Sequence, residues 1–568
     1  MKQNRLRVGL LLNDVQVCAW VYRMVERIES SDCASIELLV LNRAAASTSG
    51  TVLGRIGNRV KNLVPIVTTK LLDMAEERLV NRGSVLPDAF AQRDLSQLLP
   101  KVAMLEVVPI RKQVSDYFSE QDLEAIRGYG LDVLIRIGFR ILRGGILHSA
   151  RYGVWSYHHG DNMVNRGGPA GYWEAMERWP TTGSMLQILS EEMDNGTVLY
   201  RSWSCTQETL ADNRNNLYWK TLSFIPRKLE QLHREGYDAL IRQAQALTPE
   251  QQLYSRRLYR VPTRGERTRL IGARVKERVR QKYANKLYFD QWFLLYHLGE
   301  RGHDSMWRYR RLLPPKDRFW ADPHVIYREG RYYLFIEEFL FAEQRGHISV
   351  MEMDEQGRHG EPVPILERPY HLSYPFVFEY QGHYYMVPES AENRSVDLYR
   401  CVEFPHRWEQ CGTLLDGVHA VDATLYPHGG RWWMFVNMVE NRGASSCDEL
   451  FLFHADTPLG NDWTPHPLNP VISDARRARP AGRIFTENGR IYRPSQNCSV
   501  RYGYGFNINR ILHLDEREYR EELVSTATPE WEPGLLATHT YSRAHRLTVI
   551  DAQRRAVKEG VPGWLARD

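Results

Sequence analysis

Four times in the second half of the chain the same eight-residue pattern returns: GRYYLFIE from Gly330, GHYYMVPE from Gly382, GRWWMFVN from Gly430 and GRIYRPSQ from Gly489. In each, a turn glycine opens a strand of aromatic or aliphatic residues. The interval is about fifty residues, the length of one β-propeller blade. The segments before these turns correspond too: ADPHVIY from Ala321, SYPFVFE from Ser373, VDATLYP from Val421 and RPAGRIF from Arg479. A looser copy, THTYSRAHRLTVID from Thr538, brings the expected count to five blades over residues 287–568.

Seven residues after each turn glycine stands a polar side chain: Glu337, Glu389, Asn437 and Gln496. Asp322 and Asp422 stand at the entrance of the preceding strand in two copies. Blade packing explains the glycines and aromatics, but it does not require carboxylates and amides at one repeated place. Inner strands of a propeller line its central channel, so these six residues are expected to ring one ligand there. His324 and Arg479 stand near enough in the repeat to serve an anionic group such as a phosphate.

On its FWADPH, paired-aromatic and PES elements, roughly residues 292–551 resemble the N-terminal domain of plant glucosamine inositolphosphorylceramide transferases. They also resemble five-bladed propellers of glycoside hydrolase type, in which the Asp of an Ala-Asp-Pro holds the catalytic base. The resemblance implies a carbohydrate ligand. Paired carboxylates either hold sugar hydroxyls or cleave a glycosidic bond. Glycan binding is the preferred reading, because no Glu stands out as a dedicated acid.

The first part of the chain has a different pattern. Residues 6–12, 36–42, 131–138 and 153–157 are short apolar runs, with a helical pattern over 15–28, and such runs suit a parallel sheet covered on both faces. Within 132–201 a strand leads to Ser156-Tyr157-His158, a loop closes at Arg166-Gly167, Trp173 follows, and Asp194-Asn195-Gly196 comes later without a gap. This order resembles the formyltransferase family, methionyl-tRNA and sugar N-formyltransferases included. That family has Asn where this chain has Ser156. The resemblance implies a Rossmann-like α/β domain over 1–205 with 10-formyltetrahydrofolate as cofactor. In it, His158 and Asp194 would stabilise an oxyanion and take a proton, Ser156 would assist, and Arg166 and Trp173 would shape the substrate loop.

Between the two parts, residues 206–286 read as a basic helical linker, rich in Arg and Lys from Arg256 to Lys286. Its Leu270, Val275 and Val279 are expected to pack on a neighbour; a surface for anionic lipid headgroups or nucleic acid is the alternative. Overall charge is nearly balanced, 74 Lys and Arg against 69 Asp and Glu, which selects no partner. The 7 cysteines are scattered without a Cys-x-x-Cys pair, pointing to a reducing compartment and against a structural zinc site. No apolar run reaches membrane-spanning length, so the expected location is the cytoplasm.

Together these features lead to an expectation of formyl, or related acyl, transfer to an amine on a sugar nucleotide or glycan precursor held by the propeller. Nucleic acid is not favoured as a partner. Two alternatives stay open: a propeller glycosidase or glycosyltransferase carrying a degenerate formyltransferase domain, and a non-catalytic glycan-binding assembly protein.

Overall fold

The computed structural model describes residues 5–46, 87–192, 196–247, 254–299 and 305–558, together with Met74, Glu76, Arg78 and Val561. The chain divides into two compact units, Met1–Val275 with Asn441–Ala444, and Lys276–Glu440 with Ser445–Asp568.

In the first unit a seven-stranded sheet is built from β1 (Leu6–Leu12), β2 (Ala34–Asn42), β3 (Ala103–Val107), β4 (Val133–Arg136), β5 (Val154–His158), β6 (Thr181–Ile188) and β7 (Thr197–Cys205). Its order is β7-β6-β5-β4-β1-β2-β3. The pairs among β1 to β5 are parallel, while β6 and β7 are antiparallel additions at one edge. The apolar runs are continuous because both faces are covered. Val8, Leu10 and Leu12 join a core with helix Ala19–Glu29 and with Leu222, Phe224 and Leu229, whereas Leu11 joins the opposite core with Leu123, Ile126 and Val154. Gly9 has no space for a side chain, since a Cβ there would lie 2.7 Å from Leu131.

The stretch expected as one basic linker forms four helices: Leu210–Thr221, Phe224–Glu235, Tyr237–Leu247 and Arg264–Leu287. The first three bury Leu217, Leu229, Leu232, Leu240 and other side chains in the first unit.

The second unit is a ring of five antiparallel sheets. The first blade runs Arg318–Arg328, Arg331–Leu340, Arg345–Asp354 and Val363–Leu366; the second runs Ser373–Tyr380, His383–Glu389, Ser395–Glu403 and Arg407–Asp416. The third is led by Ala420–His428, Arg431–Met438 and Glu449–Ala455, and the fourth by Phe485–Glu487, Arg490–Asn497, Gly505–Leu514 and Tyr519–Ala527. In the fifth, Tyr541–Ala544 pairs with Leu547–Val557, which pairs in turn with Tyr288–Leu298 from the other end of the unit. That last pairing closes the ring and leaves no free edge between first and last blades.

Candidate functional site

The repeated polar position has a structural cause. Ala321 pairs with Glu337, Ser373 with Glu389 and Val421 with Asn437, and in the fourth blade the Gln496 amide donates to Arg479 O at 2.7 Å. Immediately after the inner-strand member of each of the first three pairs the register slips. The residue at the slip takes a left-handed backbone: Asp322 (φ 50°), Tyr374 (φ 44°) and Asp422 (φ 53°). Such conformations cost about 1–3 kcal/mol each in non-glycine residues and concentrate at functional sites. In the fourth blade the residue after Arg479 is Pro480, bridged to Ser495, and the positive φ comes two residues later at Gly482 (φ 134°), where a Cβ would lie 2.0 Å from Tyr541 O.

These slips bring side chains from all five blades together. The Arg479 guanidinium donates to Asp422 at 2.5 Å and to Glu389 at 3.1 Å, and Gln496 Nε2 donates to Asp422 Oδ2 at 2.8 Å. Asp322 accepts from Tyr374 N at 3.3 Å and Thr540 Oγ1 at 2.8 Å. His539 bridges two acids, with Nε2 3.3 Å from Asp322 Oδ1 and Nδ1 2.8 Å from Asp551 Oδ2. Glu337 lies 3.4 Å from His371 Nε2. Asn437 is fully buried, and neither polar atom of its amide has a hydrogen-bond partner. Tyr502, 44 % exposed, covers the Arg479 guanidinium at 4.9 Å.

Crowding of like charge in a buried place separates the protonation states. Burial, followed by the Asp322 and Glu389 charges, holds the Glu337 carboxyl well above its ordinary range. Burial and Asp422 raise Glu389 likewise, against the pull of Arg479. Asp322 is pushed up to about 6 by burial, with His539 opposing. Asp551 stays below its ordinary value because His539 and two backbone amides outweigh burial. The cluster therefore sets Glu carboxyls whose ionisation is disfavoured beside Asp551, whose ionisation is favoured.

Of the sequence-nominated propeller residues, Glu389, Asp422 and Gln496 are joined through Arg479 and Asp422, and Asp322 is held beside them by Tyr374, Thr540 and His539; Glu337 adjoins through charge, and Asn437 lies on the strand paired with the one that carries Asp422. Two readings are corrected. Arg479 is committed to Asp422 and Glu389, and His324 Nε2 lies 3.0 Å from Val377 O and 2.9 Å from Arg483. Burial and the Arg483 charge hold His324 neutral, so neither group is free for a phosphate. Sequence reasoning missed His539, Asp551, Thr540 and Tyr374. Only the THT and VID ends of the fifth repeat hinted at His539, Thr540 and Asp551, and those ends align poorly with the other blades; Tyr374 stands in SYPFVFE at the place that Asp322 and Asp422 take in their copies.

Among the described residues, Asp322, His539 and Asp551 each offer a ligand atom within 4.8 Å of the others; His539 Nδ1 lies 2.8 Å from Asp551 Oδ2 but makes no hydrogen bond. Two surface grooves lie elsewhere: one of about 290 Å³ beside Arg328, His383 and Phe404, the other of about 380 Å³ beside His428, Arg490 and Leu512.

The nominated residues of the first unit are arranged differently. Ser156 is 1 % exposed, and its Oγ accepts from Arg136 Nη1 at 3.1 Å instead of facing an open turn. His158 ends β5 with Nε2 3.0 Å from Asn165 O. Arg166 Nε donates to Asn162 O at 2.8 Å, and its guanidinium lies over Tyr254. Trp173, expected to shape a substrate loop, is instead a core residue, 1 % exposed and packed with Tyr259 and Leu270. Asp194 lies outside the described residues. His159, next to the turn, is half-buried and stacks on Tyr218, with desolvation and then His158 pulling it down to about 3.

Residues 314–559 match the family described as glucosamine inositolphosphorylceramide transferase 1, N-terminal. The rice (Oryza sativa subsp. japonica) glucosamine inositolphosphorylceramide transferase 1 is 34% identical over 251 residues, which are 44% of this chain and 32% of that protein. The Arabidopsis thaliana protein of the same name is 36% identical over 206 residues, 36% of this chain and 27% of that protein. The propeller region is thus similar to these transferases, and the chain spans about a third of their length. Among solved structures, the family 117 glycoside hydrolase Zg3597 of Zobellia galactanivorans is similar at 13% identity and TM-score 0.30, over 48% of this chain and 92% of that one. A glycinamide ribonucleotide transformylase 1 of Symbiobacterium toebii is similar at 13% identity and TM-score 0.26, over 39% and 85%.

The expectation of folate-dependent formyl transfer is corrected by the sequence relatives, which are named as glucosamine inositolphosphorylceramide transferases.

Proposed function

We propose that the propeller binds the sugar portion of a glycan intermediate through its central carboxylate cluster, and that the chain serves glycosyl transfer. The observation that carries this reading is the Asp422–Arg479–Glu389 bridge beside the unpartnered Asn437 amide. A neutral Glu389 carboxyl donates to a sugar oxygen, while the Asn437 amide can donate and accept at once, as a pair of neighbouring hydroxyls requires. The names of the relatives point to amino-sugar or inositol-bearing substrates. Calorimetric titration of the full chain with glucosamine, myo-inositol and their phosphates tests it. Binding that disappears in Glu389→Ala is the expected result, and a folded chain that binds none of them refutes it.

A second reading, chemistry at a glycosidic bond, rests on the separated protonation states. A carboxyl pushed up, Glu389, in one cluster with a carboxyl held down, Asp551, is the kind of separation that general acid–base cleavage uses. Release of nitrophenol from a panel of aryl glycosides, lost in Glu389→Gln, would favour it over binding alone.

In this proposal the first unit is a formyltransferase-like scaffold that does not perform formyl transfer. The buried Ser156, engaged by Arg136, supports that view, since an oxyanion donor has to face the reacting atom.

A further inference from the structure

The helix Arg264–Leu287 changes character halfway. Its first half buries Leu270 and Ile271 against Trp173 and Tyr259, with Val275 partly buried beside them. Its second half does not follow the expected packing stripe: Val279 is 63 % exposed and Tyr283 59 % exposed. Lys276, Arg280, Lys282 and Lys286 are exposed as well. At roughly 100° per residue these six side chains fall within an arc of about 160°. Val279 and Tyr283 lie at its middle, Lys276 and Arg280 on one flank, Lys282 and Lys286 on the other. Glu277, the one acid in 276–287, falls outside the arc. The last turn is tied to the propeller strand Leu547–Val557 by Lys558, whose Nζ donates to Asn285 O at 2.7 Å and whose backbone amide donates to Leu287 O at 2.9 Å.

An exposed apolar pair costs free energy in water, and a solvated helix has no need of it. Flanked on both sides by cations, it matches a surface that is anionic outside and apolar just beneath. That is the interface of a bilayer containing acidic lipids, where the ring and the branched side chain enter the headgroup–acyl boundary and the cations meet phosphates. We infer that the second half of this helix, 276–287, docks the chain on an anionic membrane surface through its headgroup layer. Among the described residues no helix is long and apolar enough to cross a membrane. Nucleic acid would satisfy the cations but leaves Val279 without a role.

The test is co-sedimentation of the full chain with phosphatidylcholine vesicles, with and without roughly one-third phosphatidylserine, in about 0.1 M salt. The expected result is pelleting with the acidic vesicles alone. Reversal of Lys276, Arg280, Lys282 and Lys286 to Glu lowers the bound fraction by about tenfold or more. Val279→Ser with Tyr283→Ser lowers it severalfold at unchanged charge. All six positions are exposed, so unchanged circular dichroism is expected and confirms that each variant is folded. Equal pelleting with neutral vesicles, no pelleting with acidic ones, or undiminished binding after charge reversal overturns the inference. A labelled duplex DNA is titrated in parallel, and duplex binding without vesicle binding reassigns the helix to nucleic acid.

Discussion

Arg479 lies against Asp422 side by side, Nε 2.5 Å from Oδ2 and Nη2 3.3 Å from Oδ1, joining the fourth blade to the third at the propeller centre. Neither side chain is more than 7 % exposed. Removing one charge of such a pair strands the other, at a cost of about 3–5 kcal/mol. Asp422→Asn keeps a residue that accepts the left-handed backbone, so it isolates the charge from the conformation. A fall of that size in urea-unfolding stability is expected, and a fall below about 1 kcal/mol would show that Glu389 alone can hold Arg479.

Asn437 leads to an opposite expectation for stability and for binding. A buried amide with no partner costs about 1–3 kcal/mol. Asn437→Leu should therefore raise the melting temperature of the free chain while weakening its affinity for the sugar. A destabilised variant would mean that the amide is already satisfied by ordered water.

Stability should decline with pH across neutrality. His539 is raised above its ordinary value, because Asp551 and Asp322 together outweigh burial, so its contribution is complete below about 6.5 and is lost as pH rises through the folded value. Glu337 and Glu389, also raised, are penalised when they ionise, and the sign is the same. Thermal melts from pH 6 upward should show a falling midpoint, and His539→Gln should flatten the slope. A midpoint that rises with pH contradicts the protonated His539.

Asp322→Asn tests an expectation that the structure revises. From the repeat alone Asp322 lines a solvated channel and is dispensable for folding. Here it is 4 % exposed and receives the Tyr374 amide, Thr540 and His539. A loss of about 1–3 kcal/mol is expected alongside any loss of ligand affinity. Unchanged stability would return Asp322 to the role of a simple channel residue.

The resemblance to formyltransferases, which carry Asn at this place, suggests Ser156→Asn as a way to supply an oxyanion donor. With Ser156 1 % exposed and bonded to Arg136, the extra amide overpacks the sheet instead, by about 1–3 kcal/mol. A stable variant with unchanged unfolding would show an open space beside β5.

The glycine-led repeats at Gly330, Gly382, Gly430 and Gly489 and the polar residue seven places on were legible in the sequence because they are local. A tight turn, an aromatic strand and a fixed offset each follow from a few contiguous residues. The apolar runs of β1 and β2 were legible for the same reason. Tertiary structure alone decided that Tyr288–Leu298 completes the last blade, since its partner Leu547–Val557 lies at the far end of the unit and pairing across such a distance leaves no local signal. It also decided which polar groups are free. Arg479 and His324 are identical as letters to cations awaiting a phosphate, but the register slips at Asp322, Tyr374 and Asp422 bring neighbouring blades close enough to engage them first. Whether a buried charge serves a ligand or another residue depends on distances between blades, and those are set only when the ring closes.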